Sequence, residues 1–105
     1  MGARISVDDF ALILRGWCDS KRRVRVVLTH PLVPFAVSGT VYAVNAQGFS
    51  ITIDEENTVA VSVVGCEFGF MDLPEGERVL GKQVESGLVA VRTDFRLVVM
   101  LLEDE

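Results

Sequence analysis

Histidine is nearly missing from this 105-residue chain, which has only His30, and cysteine is scarce, with Cys18 and Cys66 far apart. A structural zinc site takes about four nitrogen or sulfur ligands. These three side chains do not supply one, and neither a metal nor a cofactor is expected. Neither cysteine belongs to a C-x-x-C spacing, so both are expected as buried, reduced thiols. His30 precedes Pro31 and reads as a turn residue rather than a general base. Cys18 adjoins a basic run, but no activating base accompanies it. Serine triads, phosphate-cradling glycine loops and dinucleotide fingerprints are missing. The expectation is a protein that is not an enzyme.

Long apolar runs are missing too. The longest, Leu97 to Leu102, has the length of a buried strand and falls far short of the about 18 residues that span a bilayer. No membrane association is expected. No basic stretch followed by an apolar segment opens the sequence, so no signal peptide is expected either, and the expected compartment is the cytoplasm. Half the residues are apolar, enough for one packed core in a single domain over 1–105.

Charge is unevenly distributed. Residues 1–53 carry six basic and three acidic side chains, a balance of +3, and residues 54–105 carry four basic and twelve acidic, a balance of −8. Four of the ten basic residues are Lys21, Arg22, Arg23 and Arg25, and acid gathers at 54–56 and 103–105. A net charge of −5 disfavours nucleic acid at long range. The local basic run still suits phosphate or carboxylate, which the planar guanidinium grips with two parallel hydrogen bonds.

Ser6 precedes a helical pattern and Asp9 stands three residues on, as in a capping box. Val7, Phe10, Ala11, Leu14 and Trp17 then recur at three- and four-residue spacing, which predicts a helix over 7–17. The period next changes to two. Val24, Val26 and Leu28 alternate with Arg23, Arg25 and Thr29 in a half-buried strand, placing Arg23 and Arg25 on one face. A second strand covers 35–44, with Gly39 read as a bulge or sharp bend. A turn at Asn45 to Gly48 leads to a third strand, Phe49 to Ile53. In a fourth, Val59, Val61 and Val63 alternate with Ala60 and Ser62, with an extension past Gly65 to Phe70 left open. Residues 77–85 read as a short helix, with Val79, Leu80 and Val84 inward, or as an irregular connection. The end reads as a hairpin or one bent strand, Leu88 to Val91 and Phe95 to Leu102, joined at Thr93-Asp94. Phe35, Phe49, Phe68, Phe70 and Phe95 fall on the apolar alternation and are assigned to the core, which leaves Tyr42 as the best exposed aromatic. Together these elements predict a mainly β fold, a small bent antiparallel β-barrel over about 22–102, SH3-like or Sm-like in outline, with the N-terminal helix closing one end.

Residues 7–65 resemble the Sm-like family of small β-barrels. The parallel is the helix from Phe10 to Trp17, the V-x-V-x-L strand of Val24, Val26 and Leu28, the bent strand from Phe35 to Gly39, and Phe49-Ser50-Ile51-Thr52-Ile53. That resemblance implies assembly into rings through strand edges and brings RNA in as a partner, with Asn45 where the family's turn carries an RNA-contacting aspartate. The chain also resembles a PilZ domain. Lys21 and Arg25 have its R-x-x-x-R spacing, and Ala43, Asn45 and Gly48 have that of [D/N]-x-S-x-x-G with only the glycine retained. This second resemblance implies a cyclic di-GMP receptor or, with the acid and serine replaced, a degenerate adaptor. The candidate ligand-binding residues are therefore Lys21, Arg22, Arg23, Arg25, Asn45 and Gly48. The leading expectation is a non-catalytic, homo-oligomeric interaction or scaffold module open to a protein partner and to weak nucleic-acid binding. The alternative is a PilZ-like cyclic-dinucleotide receptor or adaptor.

Overall fold

The computed structural model describes residues 4–73 and 76–103. A two-residue strand β1 (Arg4–Ile5) leads into helix α1 (Val7–Asp19). The Ser6 hydroxyl accepts a hydrogen bond from the Asp9 amide at 3.1 Å, and Asp8 and Asp9 occupy the positive end of the helix dipole. Phe10, Ala11 and Leu14 are buried along one stripe. The helix runs two residues beyond the sequence expectation because its end is closed by backbone geometry. Lys21 takes a left-handed φ of 55°, its amide donates to the Cys18 carbonyl, and the Arg22 amide donates to that of Trp17. This is a Schellman closure with lysine where glycine is usual.

The strands are β2 (Arg23–Thr29), β3 (Phe35–Asn45), β4 (Gly48–Thr52), β5 (Thr58–Ser62), β6 (Glu67–Phe70), β7 (Arg78–Val79), β8 (Lys82–Arg92) and β9 (Phe95–Leu102). Every ladder is antiparallel. The chain is mainly β with one N-terminal helix, as expected.

Closure of the barrel is corrected by the strand order. It runs β1-β6-β8-β9-β2-β3-β4-β5, with β7 as a spur on β8, and among the described residues no ladder joins β5 back to β6 or β1. The sheet is strongly coiled but open. Side chains fill the gap instead: α1 packs on both β3 and β6, and the Phe10 ring lies 6.3 Å from that of Phe49 on β4 and 4.6 Å from that of Phe68 on β6. Leu14, Val24, Val26, Ile51, Leu88, Leu97 and Val99 complete one apolar core around this ring.

Four local expectations change as well. Gly39 is not bulged: it pairs in register with Val24, and the irregularity falls between Val41 and Ala43. Glycine is needed at 39 because the Thr52 carbonyl and the Ile51 side chain occupy the space of a Cβ. The fourth strand stops at Ser62, and the Val64-Gly65 turn sends β6 to the opposite arm of the sheet. Residues 77–85 form no helix. Leu80 and Gly81, with φ of 56° and 78°, make a two-residue hairpin turn between β7 and β8. Val84 points inward, whereas Leu80 is exposed. Phe70 leaves the core and is 38 % exposed.

Candidate functional site

The helix end and β2 place the basic run at the seam between the helix and the sheet. Lys21 is exposed at the left-handed closure of α1. Arg22 folds back over β8 and β9. Its Nη2 donates to Glu85 Oε2 at 2.6 Å and to the Leu102 carbonyl at 2.9 Å. Glu85 reaches it because the β8–β9 register shifts between Val84 and Ser86, which leaves the intervening residue to project from a bulge. Arg23 is exposed opposite Thr40. Arg25 is half-buried, and its Nη1 donates to the Ser38 hydroxyl at 3.1 Å across the β2–β3 pair.

Asn45 and Gly48 lie elsewhere. The Asn45 side-chain oxygen accepts from the Gln47 amide at 2.8 Å and the Gly48 amide at 3.0 Å, closing the β3–β4 turn. Gly48 is buried with the Val61 carbonyl in the place of a Cβ, so the glycine is required by sheet packing. These residues border a shallow open depression of about 300 Å³ with Ala43, Ser50, Ala60 and Ser62, and no basic side chain lines it. The six candidate residues are thus divided between the helix–sheet seam and the β3–β4 turn.

Sequence reasoning missed a second polar cluster. Arg92 grips Asp94 with two hydrogen bonds, Nε to Oδ1 at 2.6 Å and Nη2 to Oδ2 at 2.9 Å, while Nη1 donates to the Val64 carbonyl at 3.0 Å. The guanidinium also lies 4.5 Å over the Phe95 ring. The hydrogen bond from Arg92 holds the Asp94 carboxyl below its ordinary range, and the same bond raises the Arg92 pKa. Nearby, burial pushes the Cys66 thiol up, against the opposing pull of Arg92. The thiol therefore stays protonated and is a weak nucleophile at neutral pH. The local signal was the Arg92-x-Asp94 spacing around a two-residue hairpin turn.

The remaining reactive side chains serve turns and packing. His30 Nδ1 accepts from the Leu32 and Val33 amides at 3.0 and 3.2 Å. Cys18 Sγ donates to the Tyr42 carbonyl at 3.4 Å, and both cysteines are free and partly buried. Among the described residues no three His, Cys, Asp or Glu side chains cluster as metal ligands, and no helix is long and apolar enough to cross a membrane.

Comparison with known proteins gives no matching family model, curated protein or solved structure. The surface of the chain itself carries the remaining information. Leu32 is 84 % exposed in the β2–β3 loop beside exposed Val33, Tyr42 is 68 % exposed at the β3 bulge, and β5 ends the sheet with one side unpaired among the described residues.

Proposed function

We propose that this chain is a non-catalytic interaction module that works as a homo-oligomeric scaffold in the cytoplasm. The observation that carries the reading is the open sheet: a strongly coiled β domain whose strand order ends at β5 without returning to β6 keeps an edge that is free among the described residues. The exposed apolar side chains Leu32, Val33 and Tyr42 add surface suited to protein contact. The basic run supports the same reading. Arg22 and Arg25 are engaged by Glu85, the Leu102 carbonyl and Ser38 of their own chain, and Asn45 is engaged by its own turn. Two unpaired cysteines fit a reducing compartment.

The test has two arms. Sedimentation across a concentration series is expected to show species heavier than the 11.5 kDa chain. Single-stranded RNA and cyclic di-GMP, titrated at two salt concentrations, are expected to show little affinity. A strict monomer, or micromolar salt-sensitive binding that Arg23→Ala with Arg25→Ala abolishes, would overturn the scaffold reading in favour of a phosphate-binding one.

A further inference from the structure

Strand β5 reads Thr58-Val59-Ala60-Val61-Ser62, and its chemistry is almost the same in both directions. It has no charge, no proline and no bulge, the devices by which edge strands discourage pairing. The opposite edge differs: its described part is the two-residue β1, where Arg4 is paired with Glu67 at 3.1 Å.

The hydrogen-bond phase of β5 follows from its ends. The Ile53 amide donates to the Asn57 carbonyl at 2.9 Å and the Val63 amide to the Gln47 carbonyl at 2.8 Å. Hydrogen-bonded pairs alternate along an antiparallel ladder. With Ile51 opposite Val59 and Phe49 opposite Val61, the valines direct their backbone groups at β4. Thr58, Ala60 and Ser62 direct theirs outward, and all three side chains are exposed. Among the described residues none of these three outward amides has a backbone partner.

We propose that β5 pairs with β5 of a second copy of this chain, antiparallel, about a two-fold axis through Ala60. This rests on the scaffold reading and names its interface. Centring on Ala60 sets Ala60 against Ala60, Thr58 against Ser62, and Val59 against Val61. It is the register in which all three outward residues meet outward residues, so each of those pairs exchanges two hydrogen bonds. A centre at Thr58, Val59, Val61 or Ser62 leaves part of the row unpaired, and a centre between two residues sets outward groups against groups that already face β4. Followed beyond the strand, the same axis runs the acidic turn at 54–56 toward residues 64–66 of the other copy, where the Arg92 guanidinium sits on the Val64 carbonyl. The contact is isologous and closes as a dimer. A five-residue ladder buries far less than the about 1,600 Å² of a standard interface, so the dimer dissociates on dilution.

Hydrogen exchange and sedimentation of the intact chain test this together. The mass is expected to rise from 11.5 kDa toward twice that value with concentration. In parallel, the Thr58, Ala60 and Ser62 amides should slow by about tenfold or more, and the Val59 and Val61 amides much less. Ala60→Pro removes an outward donor that the fold does not use and is expected to weaken association at least about tenfold with an unchanged circular dichroism spectrum. Ala60→Lys, which sets like charges against each other across the axis, is expected to do the same and serves if the proline variant does not fold. Oligomers with these amides unprotected, or of undiminished affinity in a folded variant, would overturn the β5 interface while leaving the scaffold reading standing. So would a mass that passes the dimer, which indicates head-to-tail growth. A monomer throughout would sink both.

Discussion

The Phe10 ring lies 4.6 Å from the Phe68 ring, the two planes tilted by 41°. Phe10 belongs to the helix and Phe68 to β6, one arm of a sheet whose other arm, through Phe49, touches the same ring at 6.3 Å. The helix therefore does through packing what a closing ladder does in a barrel, and that makes it indispensable. Phe10→Ala is expected to cost about 3–5 kcal/mol and Leu14→Ala about 2–5 kcal/mol, because both side chains are buried and leave cavities. Chemical denaturation checks this. A chain lacking residues 1–18 is expected to be insoluble or to melt far lower, and an unchanged melting temperature would show that the helix is a loose appendage.

Lys21 sits at φ 55° where the helix turns into β2. A side chain in the left-handed region costs about 1 kcal/mol, which glycine avoids. Lys21→Gly is expected to raise the melting temperature by about 4–8 °C at most, and Lys21→Val, whose branched Cβ is worse there, to lower it. Calorimetry on the three proteins reads both signs.

Within the basic run the structure separates neighbours. Arg22→Ala removes hydrogen bonds to Glu85 and the Leu102 carbonyl and is expected to cost about 1–3 kcal/mol. Arg23→Ala, at an exposed position, should stay within about 0.5 kcal/mol. A double-mutant cycle of Arg22→Ala with Glu85→Ala is expected to give a coupling of about 0.5–1 kcal/mol, since Glu85 is partly solvated. No coupling would place the value of Arg22 outside its pair with Glu85.

Acid sensitivity follows from Asp94. Its folded pKa lies below the ordinary value of 3.8 because Arg92 hydrogen-bonds the charged form. In the interval between those two pKa values the unfolded chain binds the proton more readily. The contribution of the pair is therefore complete above about pH 4 to 5 and disappears as pH falls through the folded value. Asp94→Asn should flatten this limb of a stability profile and leave its neutral side parallel to wild type. Asp54, lowered chiefly by its hydrogen bond from the Asn57 side chain, behaves with the same sign, so some acid sensitivity remains in Asp94→Asn.

The sequence by itself determined what depends on near neighbours. Ser6 with Asp9, and the spacing of Phe10, Leu14 and Trp17, specify the helix, because capping and a 3.6-residue period are local. Alternation specifies the buried Val24, Val26, Phe49 and Ile51, while the end, read as a hairpin or one bent strand, becomes a hairpin through the β8–β9 ladder. Local rules were weaker at residues 77–85. There the tight turn uses Leu80 before Gly81, and strand pairing overrides the poor preference of leucine for a positive φ. Only the tertiary structure decided whether the sheet closes, since that depends on how far it has coiled by the time the strand order reaches β5. It likewise decided that Arg22 meets Glu85, 63 residues away, and that the Asn45 turn lies apart from the arginines. Those outcomes are set by register, bulges and strand order, each a sum over many pairings in which no single residue carries the signal.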